Sequence, residues 1–151
     1  MLYAVSETSA TMPSSVPMTF KHFTAYGKLS LSNLTDKVSS ISSISLEAAD
    51  AALAGKWNYL VKDGSMAAKE GAGKLTLTTS ATENIWFSCA PVDMSNNELV
   101  LTVNTDKGPL AKTITFPANR KFESGKISVF TVDMDGIEPE EIVSDQYYVK
   151  V

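Results

Sequence analysis

The sequence predicts an all-β fold, an antiparallel Greek-key sandwich of about eight or nine short strands. Three observations predict it. Apolar and polar residues alternate with a period of two along nearly the whole chain, as in strands with one buried and one wet face. Clusters of Gly, Pro, Asn and Asp break these runs at intervals of about ten residues. Ser and Thr, about a fifth of the chain, accompany β-branched and aromatic residues, a mixture that fits a pleated, half-buried surface.

Taken in order, residues 1–17 read as a short strand followed by a Ser/Thr/Pro-rich loop, and residues 18–136 as the sandwich. In Gly27–Ser32 the leucines Leu29 and Leu31 point one way and the polar residues the other. Leu46–Gly55 (LEAADAALAG) breaks the pattern. Leu46, Ala49 and Leu53 stand near helical spacing before Gly55, so this piece reads as a single helical turn or an ordered crossover. Trp57, Tyr59 and Val61 then alternate with Asn58, Leu60 and Lys62, and Leu75 and Leu77 alternate with threonines. Ile85, Phe87 and Cys89 share a face opposite Trp86 and Ser88. Leu99–Thr105 and Leu110–Phe116 form a hairpin turning at Thr105–Pro109, with Pro109 at a strand start where a missing N–H costs least. Ile127–Met134 is apolar on both parities, which predicts a central strand or a bulge. Residues 137–151 read as an acidic tether ending in a strand, Tyr147–Val151.

The composition excludes several function classes. The 151 residues carry 13 basic and 17 acidic side chains, a net charge of −4, without the basic patch a nucleic-acid binder needs. No apolar run approaches the ~18 residues of a membrane-spanning helix. A single Cys excludes an internal disulfide and a Cys-built zinc site, and a single His excludes paired-His metal motifs. Met1–Val5 is too short for a signal-peptide core and lacks a basic lead-in.

The residues that could carry chemistry have ordinary readings. His22, within Phe20–Phe23, has no nucleophile elbow to serve and reads as a strand histidine beside aromatics. Cys89 lies in an apolar strand and reads as a core thiol. Gly71-Ala72-Gly73-Lys74 lacks the upstream Gly, the following Ser or Thr, and the helix of a phosphate loop. Asp133–Glu138 gathers carboxylates without the spacing of a calcium loop and reads as a solvated linker. Glu138, Glu140 and Glu141 sit in a Pro-containing tail, where a glycosidase pair would need rigid elements. Asn33-Leu34-Thr35 fits the N-glycosylation pattern. Trp57 and Trp86 could stack on sugar rings, or else pack a core or an inter-domain surface. No catalytic, cofactor or metal set assembles, and an enzyme is not expected.

Several runs, taken together in order, resemble one family. They are Met18–Leu31 (MTFKHFTAYGKLSL), Val38–Leu46, Ala54–Trp57, Asn84–Val92 (NIWFSCAPV) and Phe122–Val132 (FESGKISVFTV). This order resembles the fimbrillin-like proteins of Bacteroidetes over roughly residues 2–136. The resemblance implies transthyretin-like sandwich domains, commonly two per protein. It also implies lipoprotein export to the outer membrane and cell surface, and assembly with other fimbrial subunits by donor-strand exchange in cell adhesion. It implies further that this chain corresponds to the second half of such a protein, with signal, lipobox and first domain lying elsewhere. The candidate donor is Tyr147, Tyr148, Val149, Lys150 and Val151: Tyr147, Val149 and Val151 share one face, Tyr148 and Lys150 the other. Pairing of this segment with its own sandwich is the alternative. The rival reading of the whole is a secreted glycan-binding sandwich using Trp57 or Trp86, and the surface receptor is not written in the sequence.

Overall fold

A computed structural model describes residues 2–4, 6, 11, 14–60, 62 and 64–139. The described residues form β1 (Leu2–Ala4), β2 (Phe20–His22), β3 (Ala25–Ser32), β4 (Ile41–Ala48), β5 (Ala54–Leu60) and β6 (Ser65–Ala72). After these come β7 (Lys74–Thr78), β8 (Ile85–Cys89), β9 (Val92–Asp93), β10 (Glu98–Thr105), β11 (Gly108–Thr115), β12 (Lys121–Phe122) and β13 (Ile127–Asp133). No helix occurs among them. The fold is all-β, as the alternation predicts.

Seven strands make two sheets. A four-stranded antiparallel sheet runs β11-β10-β4-β7, and a three-stranded sheet runs β13-β3-β8. Their inner faces enclose one core. Leu99, Leu101 and Val103 of β10, with Ile44 and Leu46 of β4, come from one side, and Leu29, Leu31, Ile85, Phe87 and Val132 from the other. Of the period-two positions named from the sequence, Leu29, Leu31, Ile85, Phe87 and Cys89 are buried and Trp57, Tyr59, Leu75 and Leu77 half-buried, and a one-residue slip would turn the leucines to water. The two-stranded pairs β1-β2, β9-β12 and β5-β6 stand outside these sheets.

Three local expectations are settled here. The Leu99–Phe116 hairpin forms with Asp106 and Lys107 at its tip, where the Asp106 carboxylate accepts the backbone N–H groups of Ser39 and Ser40 at 2.9 and 3.0 Å. The helical turn within Leu46–Gly55 does not form. Leu46 and Ala48 continue β4 as inward residues, and the chain then crosses over with Leu53 driven into the core. Pairing of β4 with both β10 and β7 outweighs the small intrinsic helix preference of alanine. Among the described residues the Ile127–Met134 run pairs on one side only, parallel to β3, and so stands at the edge of their sheet.

One close approach organises the three-stranded sheet. Gly27 is the cross-strand partner of Phe87, and the ring lies over its bare Cα: a Cβ there would stand 2.0 Å from Phe87 Cζ. From that position Phe87 meets Phe122 and Phe130 edge-on, at centroid distances of 6.4 and 6.1 Å.

Candidate functional site: an open strand edge

Sheet edges are where a β protein can take on another strand, and they are normally blunted by charge, proline or shortness. Among the described residues the two large sheets have four edges, and three of them are blunted. β8 has only five residues, and the crossover caps its end through the Ala90 N–H donating to the Leu53 carbonyl at 2.8 Å. β7 opens on Lys74, which reaches Glu47 at 3.8 Å. β11 carries Pro109 and, on its inner face between Leu110 and Ile114, the charged Lys112.

β13 is different. From Ile127 to Val132 it holds no charge and no proline, and it is rich in β-branched residues. Its hydrogen bonds show which groups are committed. Tyr26 N–H donates to the Lys126 carbonyl at 3.0 Å, and Met134 N–H donates to the Ser32 carbonyl at 2.8 Å. In a parallel ladder alternate residues bond the neighbour, so Ser128, Phe130 and Val132 face β3. The N–H and C=O groups of Ile127, Val129 and Thr131 then point to the other side, where no described strand pairs with them. Ile127 and Val129 also expose their side chains, at 55% and 61%. Across the outer face, Val129, Lys28 and Trp86 lie in one row, with the Lys28 ammonium 5.6 Å from the Trp86 ring centre.

The far end of the edge is stoppered. The Lys112 ammonium crosses from the other sheet and donates to the backbone carbonyl of Asp133. The Asp133 carboxylate accepts from the Asn33 side-chain amide at 2.9 Å and from Asp135 N–H at 3.1 Å. Those two bonds, with Lys112 nearby, hold its carboxyl below the usual range. Beneath the edge, Phe116, Phe122 and Phe130 close an aromatic seam with a residual cavity of only about 10 Å³. The available stretch is Ile127–Thr131, five residues, or about 17 Å of strand.

The other residues singled out in the sequence are placed as follows. Tyr147, Tyr148, Val149, Lys150 and Val151 lie outside the described residues, as do Glu140 and Glu141. Trp86 is 55% exposed on the outer face of β8, while Trp57 is half-buried, lining a cleft under the β5-β6 hairpin; the fold gives the two rings different surroundings. Cys89 is buried, and burial pushes its thiol up to about 12. His22 is exposed, edge-on to Tyr26, with Nδ1 3.0 Å from the Tyr26 hydroxyl. Asp133 serves the turn just described, and Glu138 pairs with Lys37 at 2.9 Å. The open edge itself was not found from the sequence. Lys112, a lone charge sharing a face with Leu110 and Ile114, marks β11 as an edge strand and leaves β13 unmarked.

Comparison with known proteins decides the family. A family model described as fimbrillin-like matches residues 1–146. The chain belongs to the fimbrillin-like family. That family is one of structural subunits of cell-surface fimbriae rather than of enzymes. No curated protein matches the chain.

Proposed function

We propose that this fimbrillin-like chain is a structural subunit of surface fimbriae that joins its neighbours by strand addition at β13. The donor in this reading is Tyr147–Val151 of one copy and the acceptor is Ile127–Thr131 of the next, both five residues long. The observation that carries it is the unguarded edge, since the other three edges of the sandwich are charged, proline-bearing or short. An added strand would bond the outward amides of Ile127, Val129 and Thr131 at a net ~0.5–1.5 kcal/mol per bond. Its apolar side chains would cover those of Ile127 and Val129. Head-to-tail contacts of this kind do not close on themselves and produce filaments. In the same reading the fibre stands at the outer membrane and serves adhesion, and residues 140–146 act as the tether.

The test uses the direction of the ladder. Val129 N–H faces the open side, so Val129→Pro removes a donor from the docking edge and none from the β3 pairing. The variant should keep the far-UV spectrum of the parent yet lose self-association in sedimentation velocity. Deleting residues 147–151 should do the same. Polymerisation of Val129→Pro at the parental rate would exclude β13 as the acceptor.

A further inference from the structure

The β5-β6 hairpin forms a two-stranded sheet of its own, laddered to neither large sheet among the described residues. It turns at Gly64, whose φ of 69° and N–H bond to the Leu60 carbonyl at 2.9 Å close the tip. Its register shifts between Lys56 and Trp57, leaving Lys69 without an opposite number on β5. Trp57, Tyr59 and Met66 of this hairpin face a cleft of about 350 Å³ whose floor is the buried Leu53, Cys89 and Ala90. Tyr59 is held in turn by Tyr3 and Phe23, at centroid distances of 4.5 and 5.7 Å.

The chemistry of the cleft is selective. None of its described lining residues bears a charge or a side-chain amide, and the buried thiol stays protonated at neutral pH. An ion entering it would lose hydration without a partner. A sugar would leave most of its hydroxyls unmatched, because Thr24 and Ser88 are the aliphatic hydroxyls offered. The volume falls in the lower part of the range of small-molecule sites, roughly 300–1,000 Å³. We propose that the cleft beneath the β5-β6 hairpin is a binding site for a neutral, ring-bearing apolar small molecule that packs against Trp57.

Trp57 supplies the readout. In a Trp86→Phe background it is the sole tryptophan, and nitrobenzene, a neutral aromatic quencher, is titrated against it. Quenching should saturate, and cyclohexanol, which does not quench, should relieve it in the otherwise unaltered protein. The charged analogue 3-nitrobenzenesulfonate should bind at least about tenfold more weakly. Ala54→Phe, which puts a ring into the cleft, should convert saturation to a linear, collisional response. A linear response in the parent, or relief by methyl β-glucoside equal to that by cyclohexanol, would overturn the proposal. So would loss of self-association in Ala54→Phe together with absence of nitrobenzene binding, which would make the occupant a side chain of another copy.

Discussion

Gly27→Ala is a one-methyl change whose cost follows from the geometry. The new Cβ would lie 2.0, 2.3 and 2.6 Å from three atoms of the Phe87 ring, far inside van der Waals contact. The Gly27 backbone cannot retreat, because it is paired on both sides, to Phe87 in β8 and Ser128 in β13. The ring must therefore leave. In leaving, it gives up its edge-on contacts with Phe122 and Phe130, each worth about 0.5–1.5 kcal/mol. Overpacking strain adds about 1–3 kcal/mol to the about 1–3 kcal/mol of the two contacts, so the expected loss is about 2–6 kcal/mol. For a domain of this size that lowers Tm by about 4–24 °C. Urea unfolding followed by circular dichroism measures the free-energy change, and Phe87→Leu in the same background makes room for the methyl. The double variant should be more stable than the sum of the single changes predicts, with a positive coupling of at least about 1 kcal/mol. A Gly27→Ala loss below about 0.5 kcal/mol, or strict additivity, would refute the account of Phe87 as a ring laid over a bare backbone.

Lys112→Met removes the ammonium that caps the Asp133 carbonyl and the inward charge of β11. It should lengthen the open edge and raise the rate of self-association, by light scattering, while leaving the spectrum of the folded chain unchanged. Cys89 should resist iodoacetamide at pH 8 in the folded protein and react once unfolded, as judged by mass. Because its folded pKa is raised from 9.0 to about 12, the Cys89 contribution to stability is complete below pH 9 and is lost as pH climbs toward 12. Cys89→Ala should flatten that alkaline decline. Asp106 and Asp133 have the opposite sign: their folded pKa values are depressed, so their stabilisation is present above 3.8 and lost as pH falls below it. Asp106→Asn with Asp133→Asn should reduce the acid sensitivity of the urea midpoint.

The sandwich was legible because its core positions obey strand periodicity. Leu29, Leu31, Ile85, Phe87, Leu99, Leu101 and Val103 were all identifiable as inward, and burial follows them. The hairpin at Asp106-Lys107 was legible from Gly108 and Pro109. Strand order was not. An apolar run such as Ile127–Met134 has the same composition whether it is buried between two neighbours or left exposed for one yet to come. Local pattern records which residues shun water, not which intramolecular partner covers them. Of the two alternatives the sequence left for Leu46–Gly55, the ordered crossover forms and the helical turn does not, since alanine's weak preference yields to two ladders formed by strands distant in sequence. The cleft under β5-β6 was similarly hidden. Trp57 was visible as a candidate, but its neighbours Cys89 and Phe23 come from distant parts of the chain.

In the proposed reading one chain carries both donor and acceptor, so closing competes with joining, and that competition can be measured. From Pro139 to Tyr147 the chain can extend about 26 Å, while β13 is about 23 Å long. A segment with that reach can return to its own edge, and a short tether presents it there at an effective concentration in the millimolar range. Self-association should then be slow at micromolar protein unless the intramolecular pairing is released. Two defective variants separate the roles. A chain lacking residues 147–151 keeps only an acceptor, and Val129→Pro keeps only a donor. Neither should polymerise alone, but mixed together they should form 1:1 heterodimers that grow no further, because each partner's remaining function is spent. Sedimentation velocity of the mixture distinguishes this from every other arrangement of interfaces. Polymers in the mixture would place the donor or the acceptor elsewhere, and an absence of heterodimers would mean that Tyr147–Val151 and the β13 edge do not recognise each other.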